Sequence, residues 1–225
     1  MTRPGAGVVV FDLDGTLVDS AADLAAAASA LVVERGGRAL SRDEVVAMVG
    51  EGAPVLVRRA LTAAGLDPDT PHATARFLDL YDARLLETTA LYPGIRAVLD
   101  ALDPLVALAV LTNKPVAPAE RILEALGVRQ FFVEVIGGDG PWPRKPDPAG
   151  LDSLRVHGSG GPLLLVGDSP VDGETAARAG AGFVLAQYGF GAAQFAGMAP
   201  PFVAAAPGDL PRVIDEALRR GALTA

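Results

Sequence analysis

Apolar residues along this chain cluster into five short runs that hardly alternate with polar ones. They are Val8 to Phe11, Leu105 to Leu111, Phe132 to Ile136, Leu163 to Val166 and Phe183 to Ala186. Alternation is typical of a strand with one face in water, whereas continuous apolar runs of this length indicate strands buried on both faces. The pattern therefore predicts a parallel sheet covered by helices on both sides.

Helical stretches lie between these runs, and four of them begin at a proline. They cover Pro93 to Leu102, Pro115 to Leu126, Pro148 to His157 and Pro170 to Ala179, and a last helix is predicted over Asp209 to Arg220. Proline is favoured in the first turn of a helix, where its missing N–H costs no hydrogen bond. The alternation of strands and helices predicts an α/β fold with a Rossmann-like, doubly wound core.

The stretch from Ser20 to Thr89 has no strand-like run and is amphipathic with a helical period instead. Four candidate helices follow one another, over Ala21 to Arg35, Ser41 to Val49, Pro54 to Ala64 and about Thr70 to Glu87. Ser41 and Glu44 have the spacing of a capping box, and Gly65 is placed to end the third helix. We therefore predict a four-helix cap domain over residues 20–89, inserted into a core made of residues 1–19 and 90–225.

The composition limits the classes of partner. The formal net charge is −8, so the chain offers no broad positive field to nucleic acid. It contains no cysteine, and the apolar stretch from Leu24 to Val33 is too short to cross a bilayer. No signal-peptide pattern precedes Val8. We expect a cytoplasmic monomer or homodimer that binds a small metabolite and neither membranes nor nucleic acid.

Side chains suited to binding metal and phosphate follow the predicted strands. Asp12 and Asp14 follow the first strand, Thr112, Asn113 and Lys114 the second, Lys145 lies after the third, and Asp168 and Asp172 follow the fourth. Parallel strands place these loops at one sheet edge, so the side chains are expected to converge. Clustered carboxylates favour Mg²⁺ over Zn²⁺. One carboxylate could act as a nucleophile on a bound phosphate, and a second as general acid and base.

Lysine usage points to the same loops. Of nineteen basic residues only Lys114 and Lys145 are lysines, and both lie in loops assigned to the site. The compact ammonium group of lysine differs from the planar guanidinium of arginine. The retention of lysine at these two positions therefore suggests that a point charge is needed there.

These motifs resemble those of the haloacid dehalogenase superfamily, in its phosphatase branch. Asp12 to Thr16 read DLDGT and match the first family motif, Thr112 matches the second, Lys145 with Pro146 the third, and Gly167 to Asp172, reading GDSPVD, the fourth. All four occur in order, with room for a cap between the first and the second. The resemblance implies a Mg²⁺-dependent phosphomonoester hydrolase with a Rossmann-like core and a cap.

The resemblance also implies a role for each motif residue. Asp12 would attack phosphorus to form an aspartyl-phosphate, and Asp14 would act as general acid and then as general base. Thr112 and Lys145 would bind the transferring phosphoryl group, and Asn113 would contact the substrate beside them. Mg²⁺ would be held by Asp12, the backbone carbonyl of Asp14, Asp168 and Asp172.

Within the superfamily the sequence is most similar to phosphoglycolate phosphatases, which makes 2-phosphoglycolate the expected substrate. The similar stretches are Met48 to Ala53, Arg59 to Leu61, Tyr92 to Gly94, Thr112 to Pro115 and Val135 to Asp139. Glu51 stands where those enzymes commonly have asparagine, and Pro170 with Val171 where they have an arginine–asparagine pair. An acid near the mouth of the cap would disfavour a carboxylate substrate. Pyrophosphatase, nucleotidase and sugar-phosphate phosphatase activities therefore stay open.

Two arginines of the cap, Arg58 and Arg59, are candidates for contacting the substrate, although exposed helix charges are an equally ordinary explanation. A non-catalytic phosphate-binding regulatory domain is the alternative of another class. The presence of both Asp12 and Asp14 speaks against it, because a domain that only binds phosphate has no need of the second acid.

Overall fold

A computed structural model describes residues 7–195 and 200–221, which contain a six-stranded parallel sheet. Numbered in chain order, its strands are β1 (Val8–Phe11), β4 (Ala107–Leu111), β5 (Phe132–Ile136), β6 (Leu163–Gly167), β7 (Gly182–Ala186) and β8 (Val203–Ala204). The shorter strands β2 (Val18–Asp19) and β3 (Ala90–Leu91) form a separate ribbon. The order across the large sheet is β5-β4-β1-β6-β7-β8. β1 therefore lies inside the sheet, paired with β4 and β6.

Both faces of the sheet are buried, as the apolar runs predict. Val9 and Phe11 of β1 belong to one cluster of buried apolar side chains, while Val8 and Val10 belong to a second cluster. Successive side chains of a strand point to opposite faces, so the two clusters lie on the two sides of the sheet. The continuous apolar pattern is thus explained by burial on both sides.

Two details of the sheet differ from the sequence prediction. The second strand begins at Ala107 and not at Leu105, because the Leu105 and Val106 amides donate to the Leu102 carbonyl in a turn. Leu105 is 52% exposed there, so its apolar side chain marks the end of a helix and not a buried strand. The strand β8 is not predicted at all, since two residues are too few to establish a pattern.

Five helices of the described chain pack against the core sheet. They are α5 (Ile95–Leu102), α6 (Val116–Ala125), α7 (Ala149–Ser153), α8 (Pro170–Arg178) and α9 (Leu210–Gly221). The prediction of one helix from Pro148 to His157 is wrong in its second half, where Leu154–His157 tightens into a 3₁₀ turn. Leu154 stays buried in the second apolar cluster, whereas Val156 is 79% exposed in that turn.

Four more helices lie between β2 and β3, and we call them and their connecting loops the cap. They are α1 (Ala21–Glu34), α2 (Arg42–Val46), α3 (Ala53–Ala63) and α4 (Ala73–Asp82). The predicted capping box is confirmed, because Ser41 Oγ accepts from the Glu44 amide and Glu44 Oε2 accepts from the Ser41 amide. Gly65 follows α3 with φ +76°, as expected for a helix stop.

Two cap helices are shorter than predicted. α2 ends at Val46 because the amides of Met48 and Val49 donate three residues back, which tightens the last turn. α4 begins only at Ala73, since His72 has φ +60° and ends the preceding turn. Met48 and Val49, which lie beyond the end of α2, are half-buried and pack against the larger apolar cluster.

The ribbon lies where the chain enters and leaves the cap. Val18 pairs with Leu91 and Asp19 with Ala90, antiparallel. The predicted fold class, a parallel Rossmann-like core with an inserted helical cap, is confirmed. The division into residues 1–19 with 90–225 and residues 20–89 stays a prediction, and its residues 1–6, 196–199 and 222–225 lie outside the described part of the chain.

Candidate active site

The sheet brings three of the predicted motifs to one edge. Phe11, the last residue of β1, pairs with Val110 of β4 and Val166 of β6. Backbone hydrogen bonds continue past the strand ends, because the Asp12 amide donates to the Val166 carbonyl at 2.9 Å. Asp12 and the residues that follow β4 and β6 therefore start from neighbouring positions at the carboxyl edge.

Three acidic side chains meet at this edge. Asp12, Asp168 and Asp172 are all buried, and one carboxylate oxygen of each lies within 4.8 Å of those of the other two. Burial raises the pKa of Asp12 to about 6, and the nearby acids act in the same direction against the attraction of Lys145. Burial, Asp12 and Asp172 raise the pKa of Asp168 well above its ordinary value. The cluster therefore carries an excess of negative charge that a cation would relieve.

Lys145 supplies part of the compensating charge. Its Nζ lies 2.9 Å from Asp12 Oδ1 and 2.6 Å from Asp172 Oδ1, and its side chain is almost fully buried. Burial opposes the ammonium charge, but the two carboxylates outweigh burial and raise the pKa of Lys145. One ammonium balances one of the three negative charges, so a divalent cation would balance the other two. Three carboxylate oxygens are the hard donors that Mg²⁺ prefers.

Backbone geometry holds the acids in place. Ser169 and Asp172 form the capping box of α8, with Ser169 Oγ donating to Asp172 Oδ2 at 2.7 Å. The Gly191 amide donates to Asp168 Oδ2 at 2.7 Å. Gly15 has φ +90°, and a Cβ there would lie 2.1 Å from Asp168 Oδ2. The DGT turn can pass this close to Asp168 only because residue 15 has no side chain.

Asp14 lies in a different environment from Asp12. Its carboxylate accepts from Ser20 Oγ at 2.5 Å and from Lys114 Nζ at 2.9 and 3.1 Å, and it is not part of the three-acid cluster. Lys114 Nζ also donates to the Tyr81 hydroxyl at 2.8 Å. Two acids that are two residues apart in sequence therefore face different cations.

Lys114, which the sequence analysis places in a loop of the site without a role, and Tyr81, which it does not include, both line the pocket. Burial opposes the charge of Lys114, but Asp14 and Tyr81 outweigh burial and raise its pKa. Burial raises the pKa of Tyr81 to about 12, so its hydroxyl stays protonated. Lysine usage was a signal for Lys114, whereas Tyr81 occupies an ordinary amphipathic position of α4 and had none.

Thr112 and Asn113 follow β4 as predicted and lie beside the acids. Thr112 Oγ1 accepts from the Lys114 amide at 3.2 Å. Asn113 Nδ2 donates to the Gly50 carbonyl of the cap and to the Lys145 carbonyl, both at 3.0 Å. Asn113 Oδ1 is buried and has no hydrogen-bond partner among the described residues. Asn113 therefore connects a cap loop to two core loops and still has an acceptor to offer.

A small pocket lies between these loops and the cap, with a cavity volume of about 60 Å³. Its polar lining consists of Asp12, Asp14, Thr112, Asn113, Lys114 and Tyr81. Its apolar lining includes Leu24, Val49, Leu56, Phe77, Leu78, Pro115 and Pro118. The space suffices for about four or five water molecules, so it suits a compact ligand.

The two cap arginines do not line this pocket. Arg58 forms an ion pair with Asp69, and Arg59 forms one with Glu51, with all four side chains well exposed. Their predicted contact with substrate therefore finds no support in the described geometry. The Arg59–Glu51 ion pair also bears on the substrate, because Arg59 compensates the negative charge of Glu51 at the mouth of the cap.

Comparisons with known proteins agree with this geometry. A family model described as haloacid dehalogenase-like hydrolase matches residues 7–180. The chain is 41% identical over 187 residues to a phosphoglycolate phosphatase of Cereibacter sphaeroides, covering 81% of this chain and 85% of that protein. It is 43% identical over 194 residues to a phosphoglycolate phosphatase of Rhodospirillum rubrum, covering 81% and 80%.

Solved structures give the same result. The crystal structure of a predicted phosphoglycolate phosphatase from Haemophilus somnus superposes with a TM-score of 0.83 at 31% identity, covering 92% of this chain and 97% of that one. A haloacid dehalogenase-like family hydrolase from Streptococcus pneumoniae has a TM-score of 0.81 at 23% identity, covering 94% and 100%, which is a likeness of fold. The residues of all four motifs lie within the part of the chain that the family model matches.

Proposed function

This chain belongs to the haloacid dehalogenase-like hydrolase family and is a phosphatase, and from that premise we propose that it hydrolyses a small phosphate monoester, 2-phosphoglycolate foremost, through an aspartyl-phosphate. One observation carries the proposal. Asp12 and Asp14 both line one pocket, yet Asp12 lies among the other acids and Lys145 while Asp14 lies against Ser20 and Lys114. Two carboxylates in unlike surroundings are suited to different tasks.

In the first step Asp12 acts as the nucleophile. A carboxylate oxygen of Asp12 forms a bond to phosphorus, and the bond from phosphorus to the ester oxygen breaks. The electron pair of that bond stays on the leaving oxygen, which takes a proton from Asp14 and departs as an alcohol. With a pKa of about 6, Asp12 is ionised at neutral pH and therefore able to attack.

In the second step a water molecule attacks phosphorus of the aspartyl-phosphate. Asp14, now ionised, takes the proton of this water, and the bond between phosphorus and the Asp12 oxygen breaks to restore the carboxylate. Lys145 lies 2.9 Å from Asp12 Oδ1 and Thr112 lines the same pocket as Asp12, and we propose that both hold phosphoryl oxygens. Both steps need charge stabilisation at the same phosphorus, which these fixed groups supply.

The cofactor that we propose is Mg²⁺. Asp12, Asp168 and Asp172 would hold it through their carboxylates, together with the backbone carbonyl of Asp14. When bound, the cation would reduce the repulsion between the Asp12 carboxylate and the phosphate dianion. Burial first, and the neighbouring acids second, raise the pKa values of Asp12 and Asp168, and a bound cation would favour their ionised forms, which supports this assignment.

Three observations support a short carboxylate substrate. The curated relatives at about 40% identity are named phosphoglycolate phosphatases. The cavity that Asp12, Asp14 and Lys114 line is compact, with a volume of about 60 Å³, in keeping with a short substrate. Glu51, which would repel a carboxylate, is paired with Arg59 and does not line the pocket.

Location and assembly stay predictions from the sequence. None of the helices in the described part of the chain is both long enough and apolar enough to span a bilayer. We propose a cytoplasmic enzyme, monomeric or homodimeric, whose partner is a small phosphorylated metabolite.

The test is release of inorganic phosphate with Mg²⁺ from 2-phosphoglycolate, hexose phosphates, nucleoside monophosphates and pyrophosphate, with Asp12→Asn as the blank. We expect 2-phosphoglycolate to be preferred by at least about tenfold in kcat/KM and the blank to release no phosphate. A preference for another member of the panel would replace the substrate and keep the chemistry. Release by the blank equal to that of the parent would remove Asp12 as the nucleophile.

A further inference from the structure

The ammonium of Lys114, which lines the pocket, has no part in the two proposed steps. Lys114 Nζ is bonded to both oxygens of Asp14 and to the Tyr81 hydroxyl, and its side chain is 5% exposed. We propose that Lys114, held from the cap by Tyr81, is the specificity-determining residue that binds the carboxylate of a phosphorylated 2-hydroxy acid. This inference rests on the proposed function and adds the group that selects the substrate.

Lys114 lies beside Asp14, which is the general acid of the proposed function. As the general acid, Asp14 must lie against the ester oxygen that leaves. Lys114 Nζ lies 2.9 Å from Asp14 Oδ2, and Asp14 does not belong to the three-acid cluster. In a 2-phospho acid a single carbon separates the ester oxygen from the carboxylate. A carboxylate this close to Asp14 therefore falls within reach of the Lys114 ammonium.

The charges that line the pocket also favour binding of a substrate carboxylate by Lys114. Among the described residues that line it, Asp12 and Asp14 are acids and Lys114 is the cation. A second negative group on the substrate would be repelled by these acids unless an ammonium lay beside it. The two contacts with Asp14 go to one carboxylate, so a substrate oxygen can replace one of them without separating the buried ion pair.

Other basic side chains near the site are engaged elsewhere. Lys145 is bonded to Asp12 and Asp172, next to the phosphoryl position. Arg59 is paired with Glu51, and Arg144 Nε donates to the Gly138 carbonyl at 2.8 Å. Lys114 is therefore the positive group that the described structure places at the leaving-group end of the pocket.

The cap side of the pocket also fits a short acid. Of the described cap side chains that line the pocket, Tyr81 has a polar group, while Leu24, Phe77 and Leu78 are apolar. Apart from the Tyr81 hydroxyl, this wall offers no side-chain hydrogen bond to the hydroxyls of a sugar. The Tyr81 hydroxyl accepts from Lys114 at 2.8 Å and orients the ammonium. A ligand with one anionic group beyond the ester would satisfy this arrangement.

The test compares two substrates that differ in the carboxylate alone, 2-phosphoglycolate and ethylene glycol monophosphate, in which a hydroxymethyl group replaces it. We expect Lys114→Met to lower the ratio of their kcat/KM values by about tenfold to a hundredfold, the effect of losing a charged hydrogen bond. Support of Asp14 by Lys114 acts on both substrates, so its loss cancels in the ratio. An unchanged ratio would overturn the inference.

Two further variants make the result independent of folding defects. Tyr81→Phe removes the hydroxyl and keeps the ring, and we expect a smaller fall of the ratio in the same direction. Lys114→Arg keeps the charge and should restore part of the ratio. Calorimetry in the Asp12→Asn background should show weaker binding of 2-phosphoglycolate when Lys114→Met is added, and equal dissociation constants would contradict the inference.

The activity of the parent enzyme distinguishes a failure of the role of Lys114 from a failure of the proposed function. Hydrolysis of both substrates by the parent, with an unchanged ratio in Lys114→Met, would overturn the role of Lys114 and leave the proposed phosphatase in place. Hydrolysis of neither substrate, with phosphate released from another member of the panel, would overturn both the proposed substrate and the inference.

Discussion

At the scale of single residues, the site separates two acids that are neighbours in sequence. Asp12 is buried among acids and Lys145, whereas Asp14 bonds to Ser20 and Lys114. The side chain of Asp14 is absent from the three-acid cluster. Only its backbone carbonyl is assigned to the cation, and that atom is kept in any substitution of residue 14.

This separation predicts that Asp14→Asn loses turnover while binding is retained. Loss of the general acid and base should lower kcat by about a hundredfold to ten-thousandfold. Steady-state phosphate release gives kcat, and calorimetry gives the affinities for Mg²⁺ and phosphate. Equal phosphate release by variant and parent would remove Asp14 from the proton transfers.

At the scale of elements, the two ends of the cap are tied together by one buried acid. Asp23, in the first turn of α1, accepts hydrogen bonds from the hydroxyls and the backbone amides of Thr88 and Thr89. Asp23 is 2% exposed. Burial opposes its ionisation, but these hydrogen bonds outweigh burial and lower the pKa of Asp23. The start of α1 is thereby fixed to the segment that precedes β3.

We expect Asp23→Asn to lower the free energy of unfolding by about 2 kcal/mol at neutral pH, because the amide presents a donor to groups that are themselves donors. The folded pKa is lowered, so the contribution of the carboxylate is present above its ordinary pKa and lost as pH falls through the folded value. The difference between variant and parent should therefore shrink at about pH 3.

Urea unfolding at the two pH values measures this difference. Asp100→Asn, at an exposed position of α5, is the matched control and should change stability by less than about 0.5 kcal/mol. An equal effect of the two substitutions at neutral pH would show that the bonds to Thr88 and Thr89 add nothing to stability.

At the scale of the whole molecule, the candidate cation site joins distant parts of the chain. Asp12 follows β1, whereas Asp168 and Asp172 follow β6, and the parallel pairing of β1 with β6 brings them together. The cluster forms only when the sheet is folded. A cation bound there therefore stabilises the folded state as a whole.

We expect saturating Mg²⁺ at about pH 7.5 to raise Tm by roughly 5 to 10 °C. The pKa of Asp12 is raised to about 6, so the folded protein binds a proton there more tightly than the unfolded chain does. Falling pH therefore stabilises the metal-free protein through Asp12, and the proton bound there competes with Mg²⁺ for the carboxylate. The rise in Tm that Mg²⁺ causes should shrink at about pH 5.

Thermal unfolding with Mg²⁺, against KCl of equal ionic strength, measures this rise. Asp168→Asn removes one ligand of the cluster and should abolish most of it. A rise that is the same in Asp168→Asn and in the parent would place the Mg²⁺ elsewhere on the protein.

The sequence by itself determined the class of fold, the strand ends and the residues that meet there. Continuous apolar runs require burial on both faces, parallel strands share a carboxyl edge, and the acids follow two of those strands, β1 and β6. The capping box of Ser41 and Glu44 was equally predictable, because both partners lie within one helical turn.

The tertiary structure alone decided which groups pair across the pocket. Tyr81 and Lys114, which bond at 2.8 Å, belong to the cap and to the core. No local pattern encodes that contact, since it depends on how α4 is laid over the loop after β4. The same holds for Arg59, because the packing of the cap decides that its side chain pairs with Glu51 and does not line the pocket. Periodicity and motif spacing describe neighbours along the chain, while the pairings across this pocket depend on neighbours in space.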